Sequence, residues 1–409
     1  MSHRIGNRFA RAMLALAALA AVSAPRMAAL HAQEQRPAAL KIGFLGESVK
    51  REAPQPYLDP PPTDEGVAGA RLGIADDNTT GRFTGQHFEL DEALVAEGGD
   101  VAVVFRKLVG DGVRLVVSDL PEAPLLAVAA LPEARDVTLF NTAASDDDLR
   151  AEKCRANLMH TLPSRAMLAD ALIEYLMVKQ WPNVFLVVGP TEADRAYAAA
   201  VKRAVAKFGA KLVAEKPWTF QPGAKRSDSG HYSIDAEVAN FTQGVSYDVL
   251  VVADEDYQFG DNMSYATYAP RPVAGTAGLV PKSWARPHEE WGATQLQDRF
   301  RQASKRWMTE RDYAAWLAVR AVGEAAARAQ TVEPAKLVAF MRSDQFQLGG
   351  YKGTPLSFRP WDGQMRQAIL LADTRALVSV SPPPGRFLHQ FSELDTLGID
   401  RPESKCRLQ

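Results

Sequence analysis

Hydrophobic and polar positions in the first part of the chain form an alternating series of strands and helices. Strands buried on both faces are typically continuous apolar runs, and the run 113–117, rich in valine and broken only by Arg114, is predicted to be one of these. The predicted elements are strands over 41–45, 87–94, 113–117 and 137–140 and helices over 67–75, 101–109 and 125–134. This alternation predicts right-handed βαβ units and a parallel sheet.

The same rhythm restarts after residue 162, which predicts a second sheet of similar size. Ser164 is placed to cap a helix, and Gly209 is placed to end the helix that carries apolar positions over 197–208. The predicted strands are 184–188, 211–215, 249–253 and a weaker one over 273–280. The sequence therefore predicts an α/β protein with two parallel sheets and a boundary near residue 162.

The N-terminus has the pattern of a secretory signal peptide. Arg4, Arg8 and Arg11 precede an uncharged stretch over 12–24, which is too short to span a hydrocarbon core of about 30 Å. We expect residues 1–32 to direct export by the Sec route, with cleavage near Ala32; an N-terminal anchor helix is the alternative. Beyond this stretch the sequence holds no long apolar run, so the mature protein is predicted to be periplasmic and not membrane-inserted.

Composition excludes several classes of protein. Hydrophobic residues make up 46 % and charged residues 23 % of the chain, which is ordinary for a globular protein. The formal charge of −2 argues against a nucleic-acid partner. The two cysteines, Cys154 and Cys406, are too few for a disulfide-rich scaffold or a cysteine-based metal cluster.

The sequence also lacks the motifs of common enzyme classes. It contains no Gly-x-Ser-x-Gly, no Gly-x-Gly-x-x-Gly and no His-Glu-x-x-His, and its histidines are scattered. We therefore predict a binding protein with no catalytic residue, no metal and no required cofactor. An enzyme whose site has no recognisable motif stays open as an alternative.

Candidate functional residues lie at the carboxyl ends of the predicted strands. In open parallel sheets ligands bind outside these ends, and with two sheets the ends can face each other across a cleft. The loops in question are 46–51, 118–121, 141–145, 189–195 and 254–257.

Four segments resemble the type I periplasmic binding proteins of the ABC-transporter branched-chain amino-acid class. The segment 66–78 resembles the first helix of that family, and 141–149 resembles its ligand loop after the fourth strand. The segment 313–321 resembles its late helix, and 353–364 resembles its late Gly followed by Phe, Asp and Gly-Gln. The resemblance spans about residues 39–385 in the family's order.

The resemblance implies two Rossmann-like lobes joined by a hinge that the chain crosses three times, with a ligand in the cleft and an ABC permease as partner. The implied domains are lobe 1 over 39–161 plus 284–353, lobe 2 over 162–283 plus 354–390, and a C-terminal tail over 391–409. Ligand binding would close the lobes by a hinge motion.

The residues with which this family binds an amino acid are only partly matched in this sequence. Ser145 and the backbone N–H groups of Ala143 and Ala144 keep part of the implied carboxylate site beside Asn141 and Thr142. Two loops depart from the family pattern, the one at Asp119 and Leu120 and the one from Thr191 to Arg195. A third departure is Arg165, which stands where the family often has Asp. An amino-acid receptor therefore stays an alternative.

With these departures and its C-terminal segment 387–406, the sequence resembles a narrower branch of the family. That branch is associated with pyrroloquinoline quinone (PQQ)-dependent alcohol dehydrogenase systems. That resemblance implies a periplasmic receptor for a small anion, with PQQ as the leading ligand and a quinoprotein dehydrogenase as possible partner. PQQ is a planar aromatic tricarboxylate, so its site should combine Arg or Lys with a stacking ring. Lys50, Arg51, Arg165 and Arg195 are the candidate cations and Trp284 the candidate ring. A non-transport partner or assembly protein of the dehydrogenase is the alternative.

The loop after the first strand carries a proline-rich insert over 54–62, which is either a lid beside the cleft or a surface spacer. The full set of candidate ligand-binding residues is Glu47, Ser48, Lys50, Arg51, Asp119, Leu120, Asn141, Thr142, Ala144, Ser145, Arg165, Thr191, Arg195, Asp254 and Trp284.

An exported protein meets an oxidising compartment, so Cys154 and Cys406 are predicted to form a disulfide that anchors the tail. Two unrelated thiols are the alternative.

Overall fold

The computed structural model describes residues 38–47, 62–219 and 234–408, the side chains of 234–236 excepted. The predicted signal peptide lies outside the described residues. So do Ser48, Lys50, Arg51 and nearly all of the proline-rich insert.

Sheet A has five strands in the order β2-β1-β3-β4-β5, and β1, β3, β4 and β5 pair in parallel. Its central strands are continuous apolar runs because helices cover both faces. The strands are β1 (Ala38–Glu47), β2 (Gln86–Val95), β3 (Leu115–Asp119), β4 (Thr138–Asn141) and β5 (Leu158–His160).

Sheet B repeats this arrangement with four parallel strands in the order β7-β6-β8-β9. Its strands are β6 (Asn183–Val188), β7 (Lys211–Pro217), β8 (Val249–Ala253) and β9 (Val273–Gly275). A small antiparallel sheet in the order β10-β13-β14 and a hairpin of β11 and β12 follow. These strands are β10 (Val280–Lys282), β11 (Ser357–Phe358), β12 (Met365–Arg366), β13 (Ile369–Ala372) and β14 (Leu377–Ser381).

The helices connect the strands and supply the two cores. They are α1 (Val67–Thr84), α2 (Val101–Gly110), α3 (Glu122–Ala129), α4 (Arg165–Val178), α5 (Glu192–Phe208), α6 (Ile234–Thr242), α7 (Gly260–Met263), α8 (Ala293–Ser304), α9 (Glu310–Ala329) and α10 (Pro334–Met341). Of the described helices, none is both long enough and apolar enough to cross a membrane.

The two predicted parallel sheets are confirmed, and the differences lie at element ends. The first helix continues to Thr84, past the predicted stop at residue 75. Helix α3 ends at Ala129, and a separate turn of 3-10 helix begins at Pro132, which cannot continue an α-helix. The predicted strand over 273–280 is two short strands, because Gly275 and Gly278 have positive φ angles of 104° and 70°.

The apolar cores that pack on the two sheets show where the chain passes from one sheet to the other. Trp284, Trp316 and Phe358 pack in the core that also holds the strands of sheet A. Met365 belongs to that core as well, whereas Leu371 packs with the strands of sheet B. The last passage between the cores therefore falls between Met365 and Leu371; the domain bounds implied by the resemblance stay a prediction.

The disulfide is present in the structure. Cys154 and Cys406 are bonded, with their Cα atoms 5.6 Å apart and 252 residues apart in sequence. Leu394 and Leu397 pack into the protein, whereas Leu388 and Phe391 are 82 % and 71 % exposed. The tail is therefore held by the disulfide and a few buried positions rather than by its whole apolar set.

Replacing both Cys154 and Cys406 with serine is expected to lower the free energy of unfolding by about 2–4 kcal/mol, because the bond restricts the unfolded chain. Denaturant unfolding of the variant should match that of the wild type measured with reductant. Equal stability of oxidised and reduced wild type would contradict this expectation.

A buried acid on α4 makes stability depend on pH. Glu174 is fully buried, its Oε2 accepts a hydrogen bond from the Ser381 hydroxyl at 2.7 Å, and its Oε1 has no partner among the described residues. Burial raises the pKa of Glu174 to about 7, against the smaller opposing effect of that hydrogen bond. The folded state therefore keeps a proton that the unfolded state releases near pH 4.5. The free energy of unfolding falls as the pH rises from that value, and the loss is complete once the pH has passed through 7.

We expect Glu174→Gln to be more stable than the wild type by about 3 kcal/mol at pH 8, and nearly equal to it at pH 4, below the pKa of the unfolded state. The measurement is denaturant unfolding of both proteins across this pH range. A difference that stays constant with pH would show that Glu174 does not titrate in this window.

Candidate functional site

The candidate site lies where the strand ends of the two sheets meet. At the carboxyl end of sheet A, Gly46 of β1 pairs with Asp119 of β3. At that of sheet B, Val188 of β6 pairs with Ala253 of β8. In both sheets these strands are neighbours whose connections run to opposite sides, which is where an open sheet leaves a crevice.

One guanidinium joins the loops of the two sheets. Arg165, the first residue of α4, donates to both carboxylate oxygens of Glu255 at 2.7–3.0 Å and to Asp146 at 2.7 Å. Asp146 follows β4 of sheet A, and Glu255 follows β8 of sheet B. Burial opposes the charge of Arg165, but Glu255 and Asp146 together raise its pKa. The loops after these two strands therefore meet at Arg165, and the surface around this ion pair is called the groove below.

A second ion cluster lies at the end of β3. Arg311, in the first turn of α9, donates to both oxygens of Asp119 at 2.8 and 2.6 Å and to Glu65 at 3.4 Å. Burial lowers the pKa of Arg311, and the charges of Asp119 and Glu65 overcome this, so the pKa is raised. Thr142 lies at the edge of the cluster, with its hydroxyl 3.5 Å from Asp119.

Tyr257 places a phenol among the acids of both sheets. Tyr257 is 57 % exposed to water. Burial, followed by the negative charges of Glu310, Glu255 and Glu65, raises the pKa of Tyr257 to about 12. Glu310 itself accepts hydrogen bonds from the backbone N–H and the hydroxyl of Ser283.

Carboxylates outnumber guanidiniums among the described ion-paired residues of this groove. Among the described residues, the groove cluster consists of five carboxylates and two guanidiniums: Glu65, Asp119, Asp146, Glu255 and Glu310 with Arg165 and Arg311. Both guanidiniums are already hydrogen-bonded to carboxylates. An anion would have to displace one of these carboxylates to reach either guanidinium.

Several predicted ligand contacts are used by the protein itself. The backbone N–H groups of Ala143 and Ala144 donate to Asn141 Oδ1 at 3.2 and 2.9 Å. These donors already have an acceptor within the protein and are not left open for a ligand carboxylate. Asp254 accepts from the N–H groups of residues 258–260. Thr191 caps α5. These side chains shape the groove's loops.

Other predicted residues lie away from the groove or at its border. Leu120 is fully buried in an apolar core, and Trp284 is 2 % exposed and stacked on Tyr313 with ring centres 4.5 Å apart. Neither side chain is open to a ligand, contrary to expectation, because each fills a core. Arg195 is exposed and donates to the Pro190 carbonyl, while Glu47 and Ser145 are half-buried at strand ends.

Four residues of the groove cluster were not predicted from the sequence: Glu65, Asp146, Glu310 and Arg311. Asp146 lies one residue past the predicted loop 141–145, and the other three precede or begin helices rather than follow strands, so a search of strand ends passes over them. The signal was present, because Thr309 and Asp312 form a capping box that marks the start of α9.

Comparisons with known proteins agree with this fold. Residues 62–225 match the family model described as periplasmic binding protein. No curated protein sequence matches the chain significantly. A branched-chain amino-acid ABC transporter periplasmic ligand-binding protein from Burkholderia xenovorans is similar in structure, with a TM-score of 0.65, 16 % identity, and coverage of 83 % of this chain and 95 % of that one.

Two further solved structures show the same likeness. The leucine-, isoleucine-, valine-, threonine- and alanine-binding protein from Brucella ovis has a TM-score of 0.62 at 14 % identity, covering 84 % of this chain and 92 % of that one. An ABC-transporter solute-binding protein from R. palustris, in complex with benzoate, has a TM-score of 0.60 at 12 % identity, covering 90 % of this chain and all of that one. The chain thus has the type I periplasmic binding protein fold, and over residues 62–225 its sequence matches the periplasmic binding protein family.

Proposed function

We propose that this chain is a periplasmic solute-binding protein of the ABC-transporter type, which binds a small molecule in the groove between the strand ends of its two sheets. The observation that carries the proposal is the Arg165 cluster, because it joins Asp146 of sheet A to Glu255 of sheet B. A ligand at this point contacts the loops of both sheets, so it can bind a closed arrangement of the two more tightly than an open one. Ligand-driven closure requires such a difference in affinity.

The ligand we propose carries a positively charged group, such as an ammonium or guanidinium. Among the described residues of the groove cluster, carboxylates outnumber guanidiniums, and the exposed ring of Tyr257 adds a face that a cation can approach. The amino-acid ligands of some structural neighbours contain an ammonium group, which fits this groove. The carboxylate of such a ligand has to find partners other than the N–H groups of Ala143 and Ala144.

The anionic ligand predicted from the sequence, PQQ, stays a prediction, as does a quinoprotein partner. An anion would have to compete with Asp119 for Arg311 and with Glu255 for Arg165. Trp284 does not supply the stacking ring. Lys50 and Arg51 lie outside the described residues. The charge of the groove therefore favours the cationic ligand over PQQ.

Export is part of the proposal, since a receptor of this type works outside the inner membrane. Sequencing the N-terminus of the secreted protein tests it, with Gln33 expected as the first residue. A mature chain that still begins at residue 1 would exclude cleavage near Ala32.

The proposal is tested by a thermal-shift screen of small solutes, followed by titration of wild type and variants with the best ligand. In Glu255→Gln the ligand should bind about ten- to a hundredfold more weakly, because a charged hydrogen bond is replaced by a neutral one. Glu133→Gln is the matched control, since Glu133 pairs with Arg106 at an exposed position outside the groove. Equal affinity in both variants, or no solute that shifts the melting temperature, would refute the proposal.

A further inference from the structure

A cavity of about 1050 Å³ lies among the loop over 343–361, the strand β14 and the C-terminal tail. None of the ion-cluster residues of the groove lines it. Its volume is at the upper end of the range for pockets that hold small organic ligands. The cavity is therefore a candidate for a second binding site, independent of the proposed function.

Aromatic side chains form much of the cavity wall. Trp291, Phe358, Trp361 and Phe391 are among the residues that line it. Flat apolar walls of this kind suit an aromatic ligand, because rings stack face to edge or in offset layers.

The backbone conformation at Trp291 is strained. Its φ is 58° and that of Gly292 is 86°, so two successive residues adopt the left-handed conformation. The indole lies on the backbone of Gly353, where an added Cβ would be 2.8 Å from the ring. Trp291 nevertheless stays 64 % exposed. Strained residues that expose a large ring are more typical of ligand sites than of a core.

A buried lysine gives the cavity a charge. Lys352 lines it, is 4 % exposed, and donates to Gln367 Oε1 at 2.8 Å and to the Ala368 carbonyl at 2.9 Å. Both acceptors are neutral, and in the described part of the chain no carboxylate lies within ion-pair distance of its Nζ. An ammonium has three N–H donors, so one donor is left for a ligand.

We infer that this cavity is a second ligand site that takes a small aromatic carboxylate, with the carboxylate on Lys352 and the ring among the tryptophans. A carboxylate supplies the missing counter-charge and the third acceptor, which a buried ammonium needs. The ring packs against Phe358 and beside Trp361, whose own ring has the guanidiniums of Arg359 and Arg366 5.3 Å from its centre. No residue of the groove cluster lines the cavity, and the charge of Glu310 acts on Lys352 from outside it.

The charges that face Lys352 set how binding depends on pH. Burial lowers the pKa of Lys352 to about 7, and the charge of Glu310 opposes this effect. His288 lies nearby with its pKa lowered by burial, and the ring of Tyr313 is 4.8 Å from Nζ. The other charged residues of the cavity are Glu290, Asp344, Arg366, Glu393 and Arg401. A carboxylate binds the ammonium form, so its dissociation constant should rise up to tenfold per pH unit above 7 until the pKa of the complex is reached.

The test uses naphthalene-2-carboxylate as the probe and naphthalene-2-carboxamide as its neutral counterpart, in calorimetric titrations of the whole protein. We expect saturable binding of the carboxylate at pH 6, at least tenfold weaker binding of the carboxamide, and weaker carboxylate binding at pH 8.5. Lys352→Met should weaken the carboxylate at least tenfold and remove its pH dependence, which separates Lys352 from the other charged residues. Glu255→Gln in the groove should change neither.

Trp361→Phe serves as a second variant if Lys352→Met does not fold, with a several-fold loss of affinity expected. Absence of saturable carboxylate binding, or equal binding of acid and amide, would overturn the inference. So would loss of binding in Glu255→Gln with retention in the cavity variants, because the probe would then occupy the groove.

Discussion

Replacing Asp395 with asparagine is expected to lower the free energy of unfolding by about 3–5 kcal/mol. Asp395 is fully buried and accepts from Arg359 Nε at 2.8 Å and from Arg366 Nε at 2.8 Å. The neutral amide removes the charge that both guanidiniums share and leaves Arg359 with Asp362 at 4.0 Å, and its NH₂ group faces a donor. The measurement is denaturant unfolding of the variant and the wild type.

Glu403→Gln is the control for this tail. Glu403 is exposed and lies 3.4 Å from Arg203, and surface ion pairs of this kind contribute at most about 1 kcal/mol. A loss in Asp395→Asn no larger than that of the control would show that the buried cluster does not hold the tail.

The second large effect is expected from Gly69→Ala, at about 3 kcal/mol or more of lost stability. An alanine Cβ at position 69 would lie 1.9 Å from the backbone oxygen of Asp312, so helices α1 and α9 would have to separate. Gly73 has a similar role, since its Cβ would meet Val319 at 2.8 Å. Thermal and denaturant unfolding of the variant measure the loss.

Gly110→Ala provides the matched control, because an added Cβ there meets nothing within 4 Å. Gly110 ends helix α2, and alanine is the better helix former by about 1 kcal/mol, so this variant should be as stable as the wild type or slightly more so. If Gly69→Ala behaved like Gly110→Ala, the close approach of α1 and α9 would be wrong.

The fold could be predicted because its signals are local. Continuous apolar runs gave the buried strands, and their alternation with helical spacing gave two parallel sheets. The end of α1 could not be predicted in this way. Asp76 and Asp77 look like a helix stop, yet they pair with Arg299 and Arg320, which lie more than 200 residues away.

The position of the groove could be predicted from topology, whereas the role of each residue could not. Strand ends had to meet, and the loops at Asp146 and Glu255 do so through Arg165. Asn141 and Asp254 were expected to face a ligand, but they bond to their own loops. A sequence shows which side chains reach a strand end, but not which backbone N–H groups of the loop need them as acceptors.

The cavity at the tail had no signal in the sequence. Lys352 and Trp361 come together with the tail only through the late strands and the buried pairing of Arg359 with Asp395. Such a site depends on contacts between segments that are each irregular, so no periodicity marks it.

The central claim is that the groove binds a solute with a positively charged group. The measurement that tests it most directly is calorimetric titration of the purified protein with arginine, agmatine, leucine and PQQ under one buffer condition. We predict saturable binding by at least one of the three ammonium-containing solutes and none by PQQ. Saturable binding of PQQ, abolished by Arg165→Gln, with no binding by the other three, would contradict the claim.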